Sequence, residues 1–352
     1  MADLLRSEIH LLGEYKLRQY PHRIKLNQNE NPYELPLEIK REIVEKLTAM
    51  RWSRYPDFVP QRQIDMLAGF TGCRSDGILL GNGSNDLLQL LFTSVLERGK
   101  SVVISQPTFT LYKLLAEGLG AEVHEVRMRR PFAFDVDTII RTTNTEGASL
   151  LVLCTPNNPT GSVLRREDVV RILDSTGALV VLDEAYVQFA AESQIDLLKT
   201  YDRLVILQTF SKAMGAAGLR FGYALCAPGV AKDLAKVKLP YNVNLFTLLA
   251  AEVLMTRWDS IRQWIATICN ERERVRRELE RMPGIVVTPS EANFLLFESM
   301  KTSPGDVFHS LLRAGILIRD VSSYPMLERG LRVSIGTPEE NTEFLNVLQE
   351  TL

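Results

Sequence analysis

Six short apolar runs alternate with helix-like stretches between about residues 75 and 225, and this alternation constrains the fold more than any other feature. The runs read GILL, SVVIS, SLLVLC, ALVVLDEAY, RLVILQTF and FGYALC. Strands that helices cover on both faces are apolar at nearly every position, whereas strands with one wet face alternate apolar and polar residues. The sequence therefore predicts an α/β fold built on a parallel or mostly parallel sheet.

The carboxyl-terminal third has a different pattern. VVTP, ANFLLFES and LRVSIGT predict shorter strands, which follow a charged helix over residues 264–282 that Pro283-Gly284 ends. We therefore expect a large domain over residues 37–240 and a smaller domain over residues 241–352. Residues 1–36 are expected to form an N-terminal segment that joins the smaller domain.

Charge and composition exclude several classes of protein. The 41 Lys and Arg residues are balanced by 43 Asp and Glu residues, so neither nucleic acid nor a membrane surface is expected as a partner. The N-terminus lacks an apolar signal region and no apolar run is long enough to span a membrane, so we expect a cytoplasmic protein. The four cysteines and four histidines form no metal-ligand spacing, and no GxSxG motif occurs, so no metal is expected.

The segment TFSKAMGAAGLRFGY places Lys212 directly after an apolar strand. Most lysines are solvated, and Lys212 taken alone could be an ordinary surface residue. A lysine at the end of a buried strand would instead have a lowered pKa, which makes its amine a nucleophile toward a carbonyl group.

Asp183 ends another predicted strand and is followed by Glu184, Ala185 and Tyr186. Open α/β sheets bind their ligands at the carboxyl ends of the strands, so this carboxylate and this phenol are candidate site residues. An aspartate after a strand can also be a helix cap, and DEAY alone does not distinguish the two.

GNGSND follows the strand GILL and leads into a predicted helix, so its backbone amides and the helix N-terminus would bind a phosphate. It is not a nucleotide-binding loop, because no GK[ST] follows and Asp86 stands where GxGxxG has its last glycine. In QPTF, Phe109 could stack on a flat ring or be a plain core residue.

Taken together and in this order, GNGSND, QPTF, TPNNPTG, DEAY and TFSKAMGAAGLRFGY resemble the motifs of the fold type I pyridoxal-phosphate aminotransferases of the aspartate aminotransferase superfamily. With LNQNENPYELP at residues 26–36 and RYPD at residues 54–57, the chain is similar to histidinol-phosphate aminotransferases. The resemblance covers residues from about 26 to 336. It implies that the large domain binds pyridoxal 5'-phosphate and has a seven-stranded, mostly parallel sheet sandwiched by helices, beside a smaller α+β domain.

The resemblance also implies roles for single residues. Lys212 would hold the cofactor as a Schiff base, and Asp183 would contact the pyridinium nitrogen. Asn158 and Tyr186 would bind the 3-oxygen of the ring, and Phe109 would lie on its face. The phosphate contacts would come from Gly83, Ser84, Asn85, Thr209, Ser211 and Arg220.

Substrate contacts follow from the same resemblance. Arg332 would clamp an α-carboxylate, which suits its two-pronged guanidinium, and Arg319 would bind a substrate phosphate. Asn29, Tyr15 and Tyr20 are further candidates for substrate contact. Outside the family, Arg332 could be a surface charge.

Tyr55 of RYPD corresponds to a tyrosine that reaches the cofactor phosphate of the neighbouring subunit, so the resemblance implies a homodimer with shared active sites. The implied reaction is a ping-pong transamination between histidinol phosphate and 2-oxoglutarate, giving imidazole-acetol phosphate and glutamate, in histidine biosynthesis.

Three other functions stay open on the sequence. An aromatic amino-acid aminotransferase is a close rival, because an imidazole pocket can also accept phenyl rings. A threonine-phosphate decarboxylase would use the same cofactor and a phosphorylated substrate. The effector-binding domain of a transcription regulator is the third, but we expect no room for a DNA-binding domain before LNQNENP.

Overall fold

A computed structural model of the chain describes residues 4–13 and 18–352. Its strands, in chain order, are β1 (Ile24–Lys25), β2 (Ile78–Asn82), β3 (Ser101–Gln106), β4 (Glu122–Arg127), β5 (Leu150–Cys154), β6 (Leu179–Asp183), β7 (Leu204–Thr209), β8 (Phe221–Cys226), β9 (Ile285–Val287), β10 (Phe294–Ser299), β11 (Ile316–Leu317), β12 (Arg319–Asp320) and β13 (Gly330–Ser334). Its helices are α1 (Ser7–Leu11), α2 (Leu37–Thr48), α3 (Gln61–Thr71), α4 (Ser84–Val95), α5 (Leu111–Gly118), α6 (Val136–Thr145), α7 (Arg166–Ser175), α8 (Pro228–Ala235), α9 (Leu245–Thr256), α10 (Trp258–Arg281), α11 (Pro304–Arg313) and α12 (Pro338–Thr351).

Seven strands form the central sheet in the order β2-β8-β7-β6-β5-β3-β4. The strands from β7 to β4 run parallel, whereas β8 is antiparallel to both β2 and β7. All six apolar runs of the sequence are strands of this sheet. The predicted fold class, a mostly parallel seven-stranded sheet between helices, is confirmed.

Burial on both faces explains why the central strands are apolar throughout. In β5, Leu151 and Leu153 belong to a core cluster that includes residues of α6 and α7. Leu150 and Val152 point the other way, into a cluster that includes residues of α4 and α5. Successive side chains of a strand point to opposite faces, so a sheet covered on both sides needs an apolar residue at every position.

A second sheet, antiparallel in the order β12-β13-β10-β9, follows the long helix α10. The helices α10, α11 and α12 contribute to its core cluster. The charged helix predicted for residues 264–282 is α10, which begins earlier, at Trp258, and ends at Arg281. The domain boundaries themselves stay predictions.

The N-terminal segment forms a small two-stranded sheet with the carboxyl-terminal part of the chain. Its strand β1 pairs in parallel with β11. Among the helices that the structure describes, none is both long and apolar enough to cross a membrane.

Candidate active site

A cavity of about 440 Å³ lies at the carboxyl ends of the parallel strands β5, β6 and β7. Each of these strands ends in a polar residue that faces or adjoins it, namely Cys154, Asp183 and Thr209. The residues predicted from the sequence that line the cavity are Asn29, Ser84, Asn85, Phe109, Asn158, Asp183, Tyr186, Thr209, Ser211, Lys212, Arg220, Arg319 and Arg332.

Lys212 follows β7 and reaches into the cavity, where its Nζ donates to the backbone oxygen of Gln28 at 2.9 Å. Desolvation and, after it, the positive charge of Arg332 lower the pKa of Lys212 from 10.5 to about 8. An amine with this pKa has a sizeable neutral fraction near pH 7 to 8, and the neutral form is the nucleophile. Lys212 is therefore not an ordinary surface lysine.

Asp183 is only 4% exposed and lies at the end of β6. Its carboxylate accepts a hydrogen bond from the hydroxyl of Tyr112 at 2.7 Å and one from the backbone N–H of Ala185 at 3.2 Å. Burial raises the pKa of Asp183, and the bond from Tyr112 opposes that rise. A carboxylate held in this way can keep a nearby ring nitrogen protonated.

Tyr112, Cys154 and Gln28 line the cavity but were not predicted from the sequence. Tyr112 lies three residues after Phe109, at the start of α5, and the two rings meet edge to face at 5.6 Å. Phe109 precedes α5, so no helical spacing in the sequence indicated that Tyr112 would reach this cavity. The thiol of Cys154 is buried, and burial followed by the charge of Asp183 raises its pKa, so it stays protonated.

Tyr186 and Asn29 form a buried pair beside Lys212. The side-chain amide of Asn29 donates to the hydroxyl oxygen of Tyr186 at 3.1 Å. Asn29 is itself held by Ser334, whose Oγ accepts from the Asn29 backbone N–H at 2.8 Å. Burial raises the pKa of Tyr186, so its phenol keeps its proton and can donate a hydrogen bond into the cavity.

A cationic and hydroxyl-rich corner lies where α4 begins. Arg220 Nη1 donates to Ser211 Oγ at 3.2 Å, and the hydroxyl of Thr209 donates to the same oxygen at 2.9 Å. Gly83, just before α4, has φ of 78°, and a Cβ there would run into the Arg220 guanidinium. A helix N-terminus, a guanidinium and hydroxyl groups together form a phosphate site.

Arg319 and Arg332 lie side by side on one face of the second sheet, since they are register partners on the adjacent strands β12 and β13. Arg332 donates to the side-chain oxygen of Asn158 and, at 2.6 Å, to the backbone oxygen of Asn27. Of the described residues that line the cavity, four are cationic and two are acidic. The cavity therefore favours a ligand or ligands with more than one negative charge.

Gly83 does not line this cavity, and neither do two of the tyrosines that were predicted as site residues, Tyr55 and Tyr20. Tyr55 is 79% exposed and stacks on Tyr241 at a ring distance of 4.5 Å. Tyr20 packs edge to face on Phe308 and lines a neighbouring cavity. Tyr15 lies outside the described residues, and the roles of all three tyrosines stay predictions.

The residues present fit pyridoxal phosphate. The buried carboxylate of Asp183 suits the ring nitrogen, Phe109 suits the ring face, and the corner at Arg220 suits the phosphate. Lys212 supplies the amine. In the described part of the chain, no three or more His, Cys, Asp or Glu residues are placed to hold a metal ion.

Comparisons with known proteins agree with this geometry. Residues 21–348 match the family described as aminotransferase class I and II. A histidinol-phosphate aminotransferase of Prosthecochloris aestuarii is 40% identical over 326 residues, which cover 92% of this chain and 91% of that one. The structure of the histidinol-phosphate aminotransferase from Sinorhizobium meliloti in complex with pyridoxal-5'-phosphate superposes with a TM-score of 0.89 at 24% identity, covering 99% of this chain and 97% of that one.

The fold alone is shared more widely. The L-threonine-O-3-phosphate decarboxylase from Porphyromonas gingivalis superposes with a TM-score of 0.82 at 24% identity, covering 93% of this chain and 99% of that one. A fold can serve several reactions, so the family rests on the match over nearly the whole chain and on the identity to the relatives. The chain belongs to the class I and II aminotransferases, as its motifs predicted.

Proposed function

We propose that the chain is a pyridoxal-phosphate-dependent histidinol-phosphate aminotransferase. It interconverts histidinol phosphate and 2-oxoglutarate with imidazole-acetol phosphate and glutamate, and glutamate is the amino donor in the biosynthetic direction. The observation that carries this proposal is the 40% identity to a relative of that name over 92% of the chain. The reaction belongs to the biosynthesis of histidine.

The cofactor would be held by the residues that the motifs single out. Lys212 would bind it covalently, Asp183 would face the ring nitrogen, and Asn158 and Tyr186 would bind the 3-oxygen. Its phosphate would lie at the corner formed by Arg220 and the N-terminus of α4. Bound there, pyridoxal phosphate supplies an electron sink for the carbon that loses its proton.

Lys212 Nζ would also carry that proton. Its pKa of about 8 means that a neutral amine is available to accept a proton from the substrate and that its conjugate acid can return it. The charge of Arg332 contributes to this lowered pKa. Gln28, whose backbone oxygen accepts from Nζ, would hold the amine on the substrate side of the cavity.

The two arginines of the second sheet would bind the anionic groups of the substrates. Arg332 would bind the α-carboxylate of glutamate, and Arg319 would bind the phosphate of histidinol phosphate. This division is supported by their adjacent positions on β12 and β13, which give two cationic contacts on one wall of the cavity.

The proposal is tested by absorbance spectra between ~300 and ~500 nm, because the cofactor's own chromophores report its state. Wild-type protein should show a band near ~420 nm that histidinol phosphate converts to one near ~330 nm, the aminated cofactor. Lys212→Ala should lack the covalent cofactor band. Bleaching by phenylalanine but not by histidinol phosphate would favour an aromatic aminotransferase, and carbon dioxide release without an oxo acid would favour a decarboxylase.

We infer further that two copies of the chain form a cytoplasmic homodimer with shared active sites. The exposed aromatic surface around Tyr55 supports an association, since Trp52 and Phe58 are exposed there too. If Tyr55 completes the neighbouring site, mixing inactive Tyr55→Ala and Lys212→Ala proteins should restore part of the activity. Recovery arises because one hybrid site has both residues, and no recovery would contradict shared sites.

A further inference from the structure

Arg319 lies where two cavities meet. It is half-buried on β12, and it lines both the cavity of Lys212 and a second cavity of about 330 Å³. Its guanidinium makes no hydrogen bond or ion pair with another residue that the structure describes, whereas its register partner Arg332 donates to two oxygens. Removing part of a charged group from water is costly unless an opposite charge compensates for it. An anionic ligand is therefore expected where the two cavities meet.

Arg18 is a second arginine at the second cavity. It is exposed, and its guanidinium carbon lies 5.1 Å from the centre of the Tyr20 ring, within the range of a cation–π contact. Tyr20 in turn packs edge to face on Phe308 of α11 at 5.5 Å. Arg18, too, has no hydrogen bond or ion pair to any side chain in the described part of the chain. The ring contact therefore holds Arg18 at the cavity and leaves its N–H groups available to a ligand.

The other polar groups of the second cavity also suit an oxyanion. Ser322 and Ser323 line it, and their hydroxyl groups can donate hydrogen bonds. In its described lining Asp320 is the single carboxylate, and it accepts from the Ser322 backbone N–H at 2.8 Å. A phosphate monoester has three acceptor oxygens and more than one negative charge near pH 7, so it can bind two guanidiniums at once. A carboxylate, with two oxygens and one charge, is satisfied by one guanidinium.

We propose that Arg18 is a specificity-determining residue that binds the phosphate of histidinol phosphate together with Arg319. This inference rests on the proposed function. Glutamate carries carboxylates and no phosphate, so it gains much less from a second guanidinium in this cavity. Arg18 therefore favours the phosphorylated amino donor over glutamate, although both react at the same Lys212.

The test compares histidinol phosphate and glutamate as amino donors in the same sample of cofactor-loaded protein. The measured quantity is the second-order rate constant at which each donor converts the cofactor to its aminated form, followed near ~330 nm. The ratio of the two constants does not depend on how much of the protein is folded. Arg18→Gln should lower the ratio of histidinol phosphate to glutamate by ~10- to 100-fold, as expected when one charge-assisted contact is lost.

Arg313 gives the matched control. It is an exposed arginine at the end of α11, the helix of Phe308, and it lines neither cavity. Arg313→Gln removes the same charge from the same region and should leave the ratio unchanged.

A double variant tests whether the two arginines bind one phosphate. If they do, Arg18→Gln combined with Arg319→Gln should lower the rate constant for histidinol phosphate by less than the product of the two single losses, because the residues are coupled through the shared ligand.

Three results would overturn the inference while the proposed function stands. These are a ratio that Arg18→Gln changes by less than about twofold, an equal fall in the ratio in Arg313→Gln, and single losses that simply multiply in the double variant. Wild-type protein that does not react with histidinol phosphate at all would instead remove the proposed function.

Discussion

Glu184 allows a quantitative prediction, because it is a buried carboxylate next to Asp183 that faces away from the cavity of Lys212. It is 1% exposed and accepts hydrogen bonds from Ser193 Oγ, from the Gln194 backbone N–H at 2.8 Å and from Gln208 Nε2 at 2.8 Å. Burial outweighs these bonds and raises its pKa from 4.5 to about 7. Between pH 4.5 and about 7, Glu184 therefore keeps a proton in the folded protein that it has already released in the unfolded chain.

The difference between the folded and unfolded pKa of Glu184 determines how the free energy of unfolding changes with pH, in sign and in size. As the pH rises from 4.5 to about 7, ionisation of Glu184 becomes progressively more costly in the folded state than in the unfolded state. At about 1.36 kcal/mol per pKa unit, the full cost is about 3 kcal/mol, and it is constant above the folded pKa. Glu184→Gln mimics the protonated acid, and the rotatable hydroxyl of Ser193 can accept from the introduced amide.

The measurement is urea unfolding of wild type and Glu184→Gln at pH 5, 6, 7 and 8, with saturating pyridoxal phosphate in every sample. Between pH 5 and pH 8 the wild type should lose about 2.5 kcal/mol of unfolding free energy relative to the variant, since part of the full cost is already present at pH 5. Glu291→Gln is the control, since Glu291 lies near the same loop and accepts from the Ala191 N–H at 3.1 Å but is partly exposed. A difference between wild type and Glu184→Gln that stays constant within about 1 kcal/mol would refute the reasoning.

Three further changes test the site. Tyr112→Phe removes the hydroxyl that donates to the buried carboxylate of Asp183, so it should lower the free energy of unfolding by about 1.5–3 kcal/mol in urea titrations. An equal loss in Tyr201→Phe, whose hydroxyl donates to the surface carboxylate of Asp174, would contradict this. Gly83→Ala places a methyl group against the Arg220 guanidinium, so the Kd for pyridoxal phosphate in a fluorescence titration should rise ~10-fold. An unchanged Kd would mean that Arg220 does not bind the cofactor phosphate from this position. In the apoenzyme, the fraction of Lys212 that reacts with pyridoxal phosphate can be trapped with borohydride and measured by mass spectrometry. This fraction should increase with pH with a midpoint at about 8, and a midpoint near 10.5 would mean that the pKa of the amine is not lowered.

The strands could be predicted from the sequence to the extent that both of their faces are buried. Six of the seven central strands read as continuous apolar runs for that reason. The seventh, β4 (Glu122–Arg127), lies at the edge of the sheet and, among the strands that the structure describes, pairs only with β3. Polar residues are therefore tolerated along it, and the run EVHEVR does not stand out. The expectation of seven strands came from the family resemblance and not from that segment.

Some residues of the site could be predicted from the sequence and others could not. Asp183 and Lys212 were predictable because the first ends a buried strand, the second comes shortly after another, and strand ends meet at one edge of the sheet. Tyr112 was not, because its contact to Asp183 depends on where α5 lies over β3 and β4, which no local motif encodes. Gln28 could not have been predicted at all from its residue type, since it contacts Lys212 through its backbone oxygen.

The segment over residues 26–31 contains three asparagines, and their neutrality matters as much as their hydrogen bonds. The Asn29 side chain binds Tyr186 at the central sheet, and Asn31 Nδ2 donates to the backbone oxygen next to Lys212 at 3.0 Å. An amide both donates and accepts without changing the net positive charge on which anion binding in the cavity depends. Glu30 of the same segment already lines the cavity and opposes the lowering of the Lys212 pKa, so a further carboxylate at Asn29 or Asn31 would raise that pKa more and offset the arginines.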